Sequence, residues 1–133
     1  MHNHNNYANT SKVEEFIYSL LSGVVSDNVF AGNLPSTISE NWNDMIVIDC
    51  DLPITDYGCY SVSTIYIFLY ARPHEDGSKN VPLLAQMEES LNTVLDKVDD
   101  THYTVSRQSN GADYDSNINW HRNYVYLTIK INQ

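Results

Sequence analysis

The chain has 133 residues, which predicts one domain able to bury a core without disulfides or a metal. Its 17 Asp+Glu against 7 Lys+Arg give a formal net charge of −10. It therefore lacks the basic footprint that nucleic-acid phosphate or an anionic membrane surface demands. No apolar run approaches the roughly 20 residues of a membrane span. The opening MHNHNNYANTSK has no apolar stretch of the signal-peptide kind, so the expected compartment is the cytoplasm of the cell that makes it.

Residues 1–10 are polar and Asn-rich and are read as a disordered arm, with residues 11–133 forming the single domain. Two histidines in that arm, His2 and His4, are given no metal role. Ser11 is placed to cap a helix, and Glu14 three residues later completes a capping box. Val13, Phe16, Ile17, Leu20, Leu21 and Val24 recur at helical spacing, and Gly23 stands where a C-terminal cap belongs. The first helix is predicted over 12–22. Val29 and Phe30 then read as a short strand stopped by Gly32, Asn33 and Pro35. A polar connection leads to a second strand from Met45 to Asp49.

The segment from Gly58 to Arg72, GCYSVSTIYIFLYAR, predicts one long strand. Cys59, Ser61, Ser63, Ile65, Ile67, Leu69 and Ala71 share one face; Tyr60, Val62, Thr64, Tyr66, Phe68 and Tyr70 share the other. Past Thr64 both faces are apolar or aromatic, whereas a strand covered on one side only keeps a polar face. The strand is therefore expected either to lie centrally under helices or to offer its aromatic face to another subunit. Cys50 and Cys59 fall in or beside neighbouring strands and are read as two buried thiols rather than a disulfide.

Pro73 ends the long strand, and Asp76-Gly77 is the tightest point of the turn that follows. Asn80 caps a second helix with Pro82 in its first turn. Leu84, Met87, Leu91, Val94, Leu95 and Val98 form its apolar stripe over roughly 81–98. Tyr103, Val105 and Arg107 begin a further strand. QSNGADYDSNIN reads as a long polar loop or hairpin tip. The last strand runs from about Trp120 to Ile131, with Val125, Leu127, Ile129 and Ile131 on one face and Tyr124, Tyr126, Thr128 and Lys130 on the other. The order α-β-β-β-α-β-β segregates helices from strands, which predicts an α+β fold with both helices packed on an antiparallel or mixed sheet. Phe16, Leu20, Ile65, Ile67, Leu84, Leu91, Leu95, Leu127 and Ile129 are the expected core.

The tests for chemistry return nothing. The histidines are scattered and form no zinc-protease pair. There is no Gly-rich phosphate loop and no G-x-S-x-G elbow. Asp113, Asp115 and Asn117 open a calcium-type D-x-D-x-N pattern, but Ile118 stands where glycine is needed and Tyr124 where the bidentate acid is needed, so they read as a polar hairpin tip. Asp49 and Asp51 flank Cys50 at a strand end, and an enzyme would need them to converge with His102 and His121. The expectation is no catalytic centre, no metal and no cofactor. Tyrosine, used ten times, suits half-buried surfaces and interfaces as well as an ordinary sheet face crossed by a helix.

The layout resembles a known family. A short amphipathic helix leads to the segment Val29-Phe30-Ala31-Gly32-Asn33-Leu34-Pro35. Met45-Ile46-Val47-Ile48 and the strand over 61–72 form a central pair. The second helix carries Leu83, Met87, Leu91 and Leu95, and two strands close the chain. Over roughly residues 12–133 this resembles the tail-terminator and tail-completion proteins of tailed phages and prophages, among them the minor tail proteins that cap the tail tube. Two departures stand out: the connection over 36–44 is long, and the chain is acidic for one that docks onto other rings.

The resemblance implies a structural subunit that closes into a hexameric ring on the end of the tail tube. Its partners would be itself and other tail or head–tail connector proteins. It would act in the host cytoplasm during assembly and then in the virion tail. Tyr60, Val62, Tyr66 and Tyr70 on the long strand, with Asp113, Asp115 and Asn117 in the polar loop, are the expected contact residues. The alternative is a small cytoplasmic module that binds a ligand or protein between the second helix and the aromatic strand face.

Overall fold

The structure is a computed structural model and describes residues 6–50 and 52–132. Two helices, α1 (Thr10–Leu21) and α2 (Val81–Asp96), accompany six strands: β1 (Val29–Ala31), β2 (Asp44–Asp49), β3 (Thr55–Asp56), β4 (Tyr60–Ala71), β5 (Tyr103–Asp115) and β6 (Trp120–Asn132). The strands form one sheet in the order β1-β2-β4-β6-β5, with β3 paired to the start of β4. β1 and β2 run parallel and the other pairs antiparallel. This is the α+β fold with a mixed sheet, in the expected element order apart from the two-residue β3.

Helix α1 starts earlier than the Ser11 cap predicts. Asn9 is the cap, its side-chain oxygen accepting from the backbone N–H of Ser11 at 3.0 Å and of Lys12 at 3.3 Å. Asn serves this role as well as Ser, so the helix can begin two residues before the Ser11 cap. Gly23, at φ +76°, ends the helix in the left-handed conformation that a C-terminal cap requires. The buried stripe is Val13, Ile17 and Leu21. Phe16 and Leu20, expected in the core, are half-buried at its edge, where Phe16 packs on Tyr103 with ring centroids 4.5 Å apart. The arm assigned to residues 1–10 lies outside the described residues up to position 5. Beyond that, Tyr7 stacks on His102 at 3.5 Å, and its carbonyl accepts the Tyr103 hydroxyl at 2.9 Å.

Helix α2 follows its sequence signals closely. The Asn80 side chain accepts from Leu83 N–H at 3.3 Å, proline occupies the first turn, and Leu84, Met87, Leu91 and Leu95 are buried.

Both helices lie on one face of the sheet. That face buries Ile46 and Ile48 of β2, Ile65, Ile67 and Leu69 of β4, and Val125, Leu127, Ile129 and Ile131 of β6. The opposite face is covered only at one end. There the connection 32–43 folds back so that Leu34, Ile38 and Trp42 pack on a second cluster of Met45, Val47, Tyr70 and Trp120. Arg72 pins this flap: its Nε donates to the Trp42 carbonyl at 2.8 Å and its Nη2 to the Ser39 carbonyl at 3.0 Å. The length of that connection is thus used to build a lid over one end of the sheet.

The expected loop over 109–119 is mostly strand. β5 runs on through a bulge between Arg107 and Ser109 to Asp115, and only residues 116–119 turn. β5 is an edge strand exposed on much of its length, so it needs no apolar alternation; the ladder with β6 holds it. Cys50 is buried as expected, but Cys59 is exposed, and no disulfide joins them. Among the described residues no helix is long and apolar enough to cross a membrane.

Candidate functional site

Strand alternation and register assemble the site. On the face away from the helices, Asp49 of β2 pairs with Tyr66 of β4, and Tyr66 pairs with Tyr126 of β6. One step along, Val47, Phe68 and Tyr124 lie in a row, and after them Met45, Tyr70 and Arg122. Side chains two apart on a strand point the same way, so the rows stack into a patch. Tyr66 meets Tyr126 with centroids 4.9 Å apart, Phe68 at 5.8 Å and Tyr124 at 6.2 Å. All four rings are half-buried, and among the described residues no helix crosses them.

Beside this patch, where the flap ends, the face opens into a cleft of about 500 Å³. Val47, Phe68 and Tyr70 line it together with Asp49, Asp115 and Arg122. Arg122 organises one wall. Its Nε donates to Asp113 Oδ1 at 2.5 Å and its Nη2 to Oδ2 at 3.0 Å, a bidentate fork on a carboxylate. Its Nη1 donates to the Tyr70 hydroxyl at 2.8 Å, and its guanidinium lies 4.2 Å from the centroid of the Phe68 ring. Tyr70 in turn donates to Asp115 Oδ2 at 3.1 Å, while Asp115 Oδ1 accepts from Asn117 N–H at 3.0 Å. The hydrogen bonds to Asp113 hold Arg122 even more firmly protonated than usual. Burial pushes the Tyr70 phenol above its ordinary range, with Arg122 working against that rise.

No family model matches the chain, and no curated protein matches it either.

The expected contact residues divide into groups. Tyr60, Val62 and Tyr66 are half-buried on the open face. Tyr70 is only 3 % exposed and props Arg122 from beneath rather than meeting solvent. Asp113, Asp115 and Asn117 stand at the end of β5 and in its turn. The two carboxylates there are engaged with Arg122 and Tyr70, which gives the D-x-D-x-N pattern a structural role. Among the described residues no three His, Cys, Asp or Glu side chains gather as metal ligands.

The convergence an enzyme would need does not form among the described residues. Asp49 lies on the open face opposite Tyr66. His121 pairs with Ala71, on the helix-covered face. His102 stacks on Tyr7 at the far end of the sheet, and Asp51 lies outside the described residues. The sequence reading left out Arg122 and named Phe68, Tyr124 and Tyr126 only as members of aromatic strand faces, not as chosen contact residues. The available signal was a lone arginine on the tyrosine-bearing side of the last strand, where a strand exposed on that face would carry ordinary polar residues.

Proposed function

We propose that the chain is a structural subunit of a phage or prophage tail, of the tail-terminator kind, that forms a ring on the tail tube through the open face of its sheet. The observation that carries this reading is the array of Tyr66, Phe68, Tyr124 and Tyr126, packed on one another yet crossed by no helix. Aromatic side chains that combine apolar area with polar tips are enriched at protein interfaces. The element order matches that of the resemblance, and the role requires no catalytic centre. Tyr60, Val62 and Tyr66 extend the contact along β4, and the turn carrying Asn117 borders it. The protein would act in the host cytoplasm and then in the virion. The test deletes the gene from its phage or prophage and images the particles: tails of uncontrolled length, or tails unjoined to heads, support the reading, and normal particles end it.

A second reading, a binding module without catalytic activity, is favoured by the cleft lined by Asp49, Phe68, Tyr70, Asp115 and Arg122. The expected pocket between α2 and the aromatic strand face does not form, because the two lie on opposite sides of the sheet; this reading places the ligand on the face away from α2. A particle phenotype separates the two.

A further inference from the structure

We infer that the open aromatic face docks cationic side chains, arginine or lysine, carried by a basic segment of a partner protein. This deepens the interface reading and rests on it for the face being a contact surface; it adds the chemistry of what the face receives.

Three observations converge. Aromatic rings attract a cation to their faces through the ring quadrupole, and Tyr66, Phe68, Tyr124 and Tyr126 form a continuous set with neighbouring centroids 4.9 to 6.2 Å apart. The face already seats cations of the chain itself. Arg122 lies 4.2 Å from the Phe68 centroid at one end, and Lys130 lies 4.7 Å from the Tyr60 centroid at the other. Tyr66 and Tyr126, in register with one another, stand between those two occupied positions.

The charge around the patch has the matching sign. Asp49 and Asp115 line the adjoining cleft, and the one guanidinium there is held by Asp113. Among the described residues, three carboxylates thus stand against one guanidinium at the cleft, while Lys130 adds a cation at the other end of the face, in a chain whose net charge is −10. An anionic or acidic partner would be repelled by this charge. A basic partner meets ring faces suited to a cation and a surrounding charge of the opposite sign. Its encounter would be accelerated by the field of the whole chain.

The experiment titrates the isotopically labelled full chain with a hexa-arginine peptide, with hexa-glutamate as the opposite-charge probe, and follows amide shifts and affinity. Shifts confined to β4 and β6 around Tyr66 and Tyr126, with none from hexa-glutamate, are expected. The pair Tyr66→Leu and Tyr126→Leu should weaken hexa-arginine by about tenfold. The pair Tyr66→Phe and Tyr126→Phe, which keeps the rings, should bind within about twofold of the parent. Neutralising two of the α2 carboxylates by Glu88→Gln with Glu89→Gln should change little. Equal weakening by the α2 pair, or shifts spread over α2, would mean that the net charge captures polycations anywhere and would overturn the inference. So would the absence of binding, or self-association of the chain abolished by the leucine pair without any response to hexa-arginine, which would give the face to a second copy. If the leucine variant fails to fold, the shift map of the parent chain decides alone. A deletion phenotype with no hexa-arginine response would leave the tail reading standing and remove only this one.

Discussion

The ring of Tyr124 lies on Gly111, its cross-strand partner: a Cβ built at Gly111 would sit 2.4 Å from the Tyr124 hydroxyl oxygen and 2.5 Å from Cζ. The glycine of β5 is thus a seat for an aromatic ring of β6, the arrangement in which a cross-strand ring covers a strand glycine. Gly111→Ala must displace Tyr124 from its place beside Phe68 and Tyr66. We expect a loss of about 1–3 kcal/mol, the range for overpacking a fitted contact. In a Tyr124→Ala background the same change should cost close to nothing, because the obstacle is gone. A urea-denaturation double-mutant cycle reads the coupling, and additive losses would contradict the contact.

Arg122→Lys should be far from conservative. Lysine keeps the charge but loses the two-pronged grip on Asp113, the donation to Tyr70 and the flat stack on Phe68. The ion pair alone contributes little, since the side chains of Arg122 and Asp113 are 23 % and 43 % exposed. The stack and the link to buried Tyr70 dominate, and we expect a loss of about 1–2 kcal/mol in urea. Asp113→Asn should cost less than Arg122→Lys; the reverse order would put the weight on the ion pair.

The core bears on both helices. Leu91→Ala, at a fully buried position of α2, should cost about 2–5 kcal/mol in a thermal or urea melt. On α1, Ile17→Ala should cost more than Phe16→Ala although phenylalanine is larger, because Ile17 is fully buried while Phe16 is half-exposed against Tyr103. Equal losses would return the helix to the orientation its sequence stripe suggested.

That α1 misreading shows where sequence periodicity stops. Val13, Phe16, Ile17, Leu20 and Leu21 mark a broad stripe, and every one of them is apolar; which edge turns inward depends on the sheet beneath, a tertiary fact. α2 was legible because its stripe is narrow and Asn80 and Pro82 mark its start. β4 and β6 were legible because each carries an alternating apolar run, Ile65 to Ala71 and Val125 to Ile131. β5 was not: Gln108, Ser109, Asn110 and Gly111 carry turn chemistry, and only pairing with β6 makes them a strand. The long connection over 36–44 looked like a departure from the resembling family, and it proved to be the larger part of the flap pinned by Arg72. In the candidate site, Tyr66 was legible as a face residue. Arg122 was not, since its partners Asp113, Tyr70 and Phe68 lie on β5 and β4 and register alone brings them together.

The thiols offer a quick check of the strand assignment. Cys59, exposed just ahead of β4, should react with a small thiol reagent in the native protein, while Cys50, at 1 % exposure, should react only on unfolding. Absorbance of the released chromophore should rise by one equivalent under native conditions and by a second in denaturant. Two fast equivalents would require Cys50 to be reachable.

Alkaline stability follows from two phenols. Burial raises Tyr70 and Tyr103 above their ordinary value of 10.0, with Asp100 adding to the rise at Tyr103. In the unfolded chain both lose their protons near that ordinary value, while the folded chain holds them longer. The unfolded state therefore binds fewer protons in that window, and stability falls as pH rises. The contribution is fully present below pH 10.0 and is lost as pH climbs through the raised values of the folded state. Above pH 10 the urea midpoint of the parent chain should accordingly drop faster than that of a Tyr70→Phe, Tyr103→Phe variant, which has nothing to ionise at those positions. The variant begins lower, having lost the hydroxyl bonds to Asp115 and to the Tyr7 carbonyl, so the slope with pH is the measurement that decides. Parallel slopes would mean that neither phenol titrates differently in the fold, and that Tyr70 is wetter than its 3 % exposure implies.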